Sequence, residues 1–237
     1  FLLAGGILFA MGLILLSSGW FVWEEQINWP KAFKKAVFPA ISASLIEDFI
    51  FRGALLGIFL RSFRPFWAIL LLSILFAALH FLQPPDDIAL FVRSDGPIPD
   101  GQVYIDPESG TAGFALLRLI GMRLLDPLPF LYEFAALLVV GLILGYARFG
   151  TASLWLPIGL HAGWVFAFKL FNRVTDRNPD LDPSYDYLSG SDLKEGLVPL
   201  GALAVTFIMV YLFVRLTRRA ARTSRPASEE PPAEGTA

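Results

Sequence analysis

Five ionisable residues, Glu47, Asp48, Arg52, His80 and His161, lie inside long apolar stretches of the chain. At the centre of a bilayer each charged group costs at least ~2.5–3.5 kcal/mol, so such residues mark pairing or function. The two histidines are the only ones in the sequence, and they occupy separate apolar segments. Asp48 and Arg52 are one helical turn apart, which puts them on one face and within pairing reach. Glu47 lies about 100° round the helix from Asp48, leaving its carboxylate free to point elsewhere. The expected division is therefore Asp48–Arg52 as a structural pair and Glu47 as the reactive group. A carboxylate and two imidazoles in a water-poor cavity suit hydrolysis. Glutamate can serve as general base, and neutral imidazoles can bind Zn²⁺ or orient a water and an oxyanion. The histidines are too far apart in sequence for a single-helix zinc motif, so only tertiary packing can join them.

The elements that must position these residues are membrane helices. Hydrophobic residues make up 55% of the 237 positions, above the 45–50% usual for soluble domains, and the mean hydropathy is +0.59. The apolar residues fall in runs close to the ~20 residues needed to cross a bilayer. Six spans are expected, at 1–23, 40–60, 65–82, 129–146, 153–171 and 197–216. The fold class expected is all-α: a polytopic bundle of about six or more transmembrane helices with a catalytic cavity within the bilayer. Because the chain opens at Phe1 inside an apolar run, the helix count is a lower bound. Residues 1–23 lack a basic leader and a small-residue cleavage signal, so they read as a span. From these boundaries Glu47 lies about 12 Å in from one face, His80 about 6 Å and His161 about 16 Å. One cavity could hold all three.

Between the spans, 83–110 and 172–196 are rich in Pro, Gly and Asp and read as water-exposed loops. Lys31, Lys34 and Lys35 suggest an amphipathic lead-in, and 111–125, with Arg118 and Arg123, an interfacial helix. Glu133 is expected at the headgroup boundary rather than in the chemistry. Gly141 and Gly145 form a small-xxx-small packing surface. Pro157 is expected to kink its helix one turn before His161. Trp20, Trp23, Trp29, Trp67 and Trp155 fall near span ends, where aromatics seek the interface. The membrane domain covers 1–225, with a disordered tail at 226–237. Arg61, Arg64, Arg148 and the arginines from Arg218 gather on one face, which the positive-inside rule makes cytoplasmic and the cavity mouth non-cytoplasmic. A net charge of −2 gives no field for nucleic acid. The absence of cysteine excludes disulfides, thiolate metal sites and a cysteine nucleophile.

Three motifs, in order on separate spans, resemble those of the CPBP family of intramembrane proteases, which includes CAAX prenyl protease 2 and bacteriocin-processing proteins. Glu47-Asp48-Phe49-Ile50-Phe51-Arg52 resembles that family's Glu-Glu-x-x-x-Arg, and Phe76 to His80 its Phe-x-x-x-His. Gly141 to Tyr146 followed by Thr151 to Ala162 resembles its last block. The likeness covers 40–171. It implies an intramembrane endopeptidase of metallo- or glutamate type acting on a membrane-tethered or lipidated peptide, as an integral multi-pass protein of a bacterial plasma membrane. Glu47 would activate water, assisted by His80, and His161 would be a metal ligand or an oxyanion stabiliser. His80 and His161 are the candidate Zn²⁺ ligands, and Asp48 and Arg52 the supporting pair. Two positions depart from the pattern. Asp48 stands for the second glutamate, and Val165 for the Asn or Asp that closes the final motif. Val165 can neither bind metal nor donate a hydrogen bond. It supports an alternative, a non-proteolytic member acting in immunity, scaffolding or regulation. Buried Glu and His also build proton relays, but no inverted repeat or pair of broken helices points to a transporter.

Overall fold

The computed structural model describes residues 1–81, 88–90, 103–105, 109–123, 127–185, 187–190, 193–194 and 196–223. The expected tail at 226–237, and most of the first acidic loop, lie outside the described residues.

The described chain is dominated by helices: α1 (Leu2–Ser17), α2 (Trp29–Asp48), α3 (Leu56–Ser62), α4 (Pro65–His80), α5 (Ala112–Arg123), α6 (Pro127–Thr151), α7 (Trp155–Val174) and α8 (Leu197–Thr223). Two short strand pairs accompany them. Strand β1 (Phe21–Trp23) runs antiparallel to β4 (Thr175–Arg177), and β2 (Ile88–Leu90) runs parallel to β3 (Val103–Ile105). α7 packs against α1 and α2, and α6 lies between α4 and α8. One apolar core joins α1, α6, α7 and α8 through residues such as Leu8, Leu144, Leu160 and Val210. A second, around Phe51, Leu72 and Phe76, joins the start of α3 to α4.

Among the described residues two helical stretches are long and apolar enough to cross a membrane, Leu131–Thr151 and Leu197–Arg219, while α1 and α4 are apolar but shorter. α2 and α7 carry the polar site residues, and this lowers their apolarity although each has 20 residues. Large apolar side chains remain bare on the outer surface, among them Phe38, Phe49, Trp155 and Leu216. Bare apolar surface on this scale suits lipid rather than water.

Several boundaries differ from those expected. The first apolar run does not stay helical to Trp23. Ser17 and Ser18 turn their hydroxyls back to Ile14 O at 2.9 and 2.7 Å, and Gly19 follows at φ +78°, a left-handed conformation that favours glycine. The chain then enters β1. Lys31, Lys34 and Lys35 belong to α2 itself, which starts at the Asn28 side-chain cap on Lys31 N, 3.1 Å away. α6 and α8 run beyond the expected ends, so Arg148 and Arg218 are helical. Pro157 does not kink α7. It occupies the first turn, where a missing N–H breaks no bond. The helical reading of 111–125 is matched by α5.

The arginine face is gathered at one end. α4 and α6 run antiparallel, with a Cβ at Gly141 falling 2.9 Å from Ser73 Cβ and one at Gly145 falling 2.8 Å from Ile69 Cγ2. The expected close-packing role of the two glycines holds. Arg218 donates to Gly150 O at 2.9 Å and Phe149 O at 3.1 Å, covering carbonyls at the end of α6.

Candidate active site

Glu47, Asp48 and Arg52 stand where the backbone of α2 widens into a π-helical segment, Phe49–Leu55. Such wide turns are uncommon and recur at functional sites. Asp48 and Arg52 are buried, with Arg52 Nη1 3.0 Å from Asp48 Oδ1. The guanidinium also lies over the Phe76 ring, 4.3 Å from its centroid, and 5.7 Å from that of Phe51. The charge that lipid disfavours is thus covered by a carboxylate and two aromatic faces. Pairing at this spacing matches the expectation.

The second carboxylate oxygen of Asp48 does more than was expected of it. His161, on α7, places Nδ1 3.3 Å from Asp48 Oδ2. Because a carboxylate only accepts, Nδ1 carries the proton. His80, on the last turn of α4, donates Nδ1–H to Phe76 O at 2.8 Å. Both rings therefore turn Nε2 inward, and both Nε2 atoms converge on Glu47 Oε2, at 3.7 Å from His80 and 3.8 Å from His161. These separations are too long for direct hydrogen bonds. Glu47 Oε2 is buried and makes no hydrogen bond among the described residues. A neutral imidazole Nε2 and a carboxylate oxygen are all acceptors here. A proton shared among them must come from an imidazolium, a carboxylic acid or a bound molecule.

Glu47, His80 and His161 line one cavity of about 280 Å³. Its walls come from α1, α2, α4, α6, α7 and α8, with Leu193 and Lys194 from the segment before α8. The lining is largely apolar, including Leu8, Phe76, Trp164 and Val165. Glu47, His80 and His161, expected from the sequence to share one cavity, do line one cavity, with Val165 beside them. Sequence reasoning did not bring Glu133 to the cavity, which it lines, 3.5 Å from Lys194 Nζ. It also missed Lys169 and Lys194, which line the same space. For Glu133 and Lys169 a signal was present, since each interrupts an apolar helical segment.

The resemblance implies His80 and His161 as candidate Zn²⁺ ligands. The donors present fit a borderline-soft cation: two imidazole Nε2 atoms, with their Nδ1 protons committed elsewhere, and one carboxylate. Among the described residues, no trio of His, Asp or Glu side chains is drawn to metal-ligand spacing.

The comparisons with known proteins agree with the motif resemblance. A family model described as type II CAAX prenyl endopeptidase, Rce1-like, matches residues 29–167. That stretch runs from the start of α2 to beyond His161 and Val165. No curated protein and no solved structure matches the chain.

Proposed function

The chain belongs to the type II CAAX prenyl endopeptidase Rce1-like family, and from that premise we propose that it is an intramembrane endopeptidase that hydrolyses a membrane-tethered or lipidated peptide with a water activated by Glu47. The family and the apolar helices mark it as a membrane protein. In this reading α1, the continuous helix from Trp29 to Ser62, α4, α6, α7 and α8 are its six spans, in a bacterial plasma membrane. The observation that carries the proposal is the convergence of both imidazole Nε2 atoms on the buried Glu47 Oε2.

The mechanism follows from the hydrogen-bond roles. A water held among Glu47 Oε2 and the two Nε2 atoms gives its proton to Glu47 as its oxygen attacks the scissile carbonyl carbon. The peptide carbonyl becomes an oxyanion, and the C–N bond breaks as Glu47 returns the proton to the leaving nitrogen. His80, fixed by its bond to Phe76 O, orients the water. His161 assists at the oxyanion when it carries a proton on Nε2. Asp48 orients that ring through Nδ1, and Arg52 holds Asp48 in place. Asp48 and Arg52 are thus positioning residues. Zn²⁺, were it bound, would be held by His80 and His161 and would supply Lewis acidity.

A second reading, a non-proteolytic membrane protein of the same family, is favoured by Val165, which leaves the cavity wall apolar where the family pattern has Asn or Asp. Losing an oxyanion donor costs about 10²–10³ in rate. The readings separate in a purified-protein assay on membrane-tethered peptides. The proteolytic reading expects internal cleavage by the parent protein and at least a ~10²-fold loss in Glu47→Gln. Equal rates in the two proteins would overturn it.

A further inference from the structure

The end of the bundle opposite His80 carries charge of one sign. Ser73 lies against Gly141 and Ile69 against Gly145, so the antiparallel pairing of α4 and α6 brings the start of α4 level with Phe149. Arg218 donates to the carbonyls of Phe149 and Gly150, which sets the last turns of α8 at the same level. The two stretches long and apolar enough to cross a membrane, Leu131–Thr151 and Leu197–Arg219, both finish here. The segments that meet at this end, 56–74, 141–160 and 210–223, hold several arginines and no Asp or Glu. Some of these arginines serve the fold. Arg148 donates through Nε to Arg52 O at 3.4 Å, and Arg218 covers its two carbonyls. Arg61 and Arg64, on the turn between α3 and α4, are exposed. Among the described residues their side chains make no hydrogen bond and no ion pair. The same turn exposes Phe63, Phe66 and Trp67.

Two bare guanidinium groups among three bare aromatic rings suit neither water nor hydrocarbon alone. Aromatic rings favour the headgroup level of a bilayer, and arginines near helix ends reach out to it. A guanidinium meets a phosphate with paired N–H donors. We propose that the α3–α4 turn binds an anionic phospholipid, with Arg61 and Arg64 on the headgroup phosphate and Phe63, Phe66 and Trp67 at the boundary between headgroups and acyl chains. The selectivity comes from charge. A zwitterionic headgroup brings its own cation to an end of the bundle that has no carboxylate to receive it, whereas a headgroup of net negative charge does not. Each arginine at such a surface contributes about a fivefold preference. The proposal rests on the membrane location of the chain and is independent of catalysis.

The test is native mass spectrometry of the full chain in detergent, incubated with equal amounts of phosphatidylglycerol and phosphatidylcholine of identical acyl chains. The parent protein is expected to retain phosphatidylglycerol about 25-fold over phosphatidylcholine, fivefold for each arginine. Arg61→Gln or Arg64→Gln alone lowers the ratio to about fivefold, and the two together bring it near unity. Arg61→Lys with Arg64→Lys keeps the preference, because the charge remains. Both side chains are exposed, so the circular dichroism of every variant should match that of the parent. Equal retention of the two lipids by the parent, an unchanged ratio in the Gln pair, or a ratio that the Lys pair loses as fully as the Gln pair would overturn the proposal. So would loss of the preference in excess inorganic phosphate at constant ionic strength, which would assign the arginines to a free anion.

Discussion

Asn in place of Asp48 is the substitution whose effect the structure constrains best. Asp48 and Arg52 are buried, 3.0 Å apart, in the widened turn after Glu47. Removing the aspartate charge leaves a buried guanidinium without its counter-ion, a loss of about 3–5 kcal/mol. The faces of Phe76 and Phe51 cover the guanidinium in parent and variant alike, so they cancel in the difference. Asn keeps an oxygen to accept from His161 Nδ1, so that contact contributes little to the loss. The expected destabilisation is about 3–5 kcal/mol, at least roughly two orders of magnitude in the folding equilibrium. Arg52→Met alone leaves the Asp48 charge buried and is also costly. The double variant removes both charges and is expected to lie about 2–3 kcal/mol above the sum of the single losses. Chemical unfolding of detergent-solubilised protein, followed by far-ultraviolet circular dichroism, gives all four corners of the cycle. A loss under about 1 kcal/mol for Asp48→Asn, or additivity within about 0.5 kcal/mol, would refute the reasoning.

Three further outcomes are expected. Gly141→Ala drives a methyl to 3.0 Å from the backbone Cα of Ser73 and should cost about 1–3 kcal/mol, whereas Gly6→Ala meets nothing within 4 Å and should be nearly neutral in the same unfolding assay. Glu24, just after β1, is raised above its ordinary value of 4.5 by a side-chain hydrogen bond with Asp176 and by repulsion from it. The folded state therefore holds the Glu24 proton more tightly than the unfolded one, and stability falls as pH rises through this raised value. Glu24→Gln should shift Tm slightly upward at pH 7, with the gain disappearing below about pH 4.5, and a gain independent of pH would contradict the assignment. Protein purified with excess Zn²⁺ should carry one equivalent, and His80→Ala or His161→Ala should reduce it to background by metal analysis. Equal loading in all three removes the metal assignment.

The site was legible in the sequence to the extent that lipid makes polar residues costly. Glu47, His80 and His161 stand out in apolar segments for that reason, and the spacing of Asp48 and Arg52 is enough to pair them. The Asp48–His161 contact was not legible. It joins α2 to α7 at a place where the backbone opens into a π turn, and no local pattern announces that opening. Glu133 was read at the headgroup boundary because it lies near the start of its span, and Lys194 fell within a loop read as water-exposed. Only the packing of α6 and α7 with the start of α8 turns them into one cavity. Hydropathy also failed at 20–23, where Trp20, Phe21, Val22 and Trp23 prolong an apolar run although Gly19 has already ended the helix. The partner that makes Phe21–Trp23 a strand lies beyond α7 in sequence, at Thr175–Arg177. Pro157 was misjudged for a smaller reason. The helix starts at Trp155, whose N–H is taken by Ser153 Oγ at 3.3 Å, so the proline falls in the first turn.

The central claim is that Glu47 and the two histidines act on one reacting group as a unit, and kinetics can ask this directly. Cleavage of a membrane-tethered peptide in proteoliposomes should be measured as kcat/KM for the parent protein, Glu47→Gln, His161→Ala and the double variant. Residues that act as a unit are strongly non-additive. The double variant is expected to be no slower than Glu47→Gln alone, within about threefold. Losses that multiply, or a Glu47→Gln variant as fast as the parent, would contradict the account.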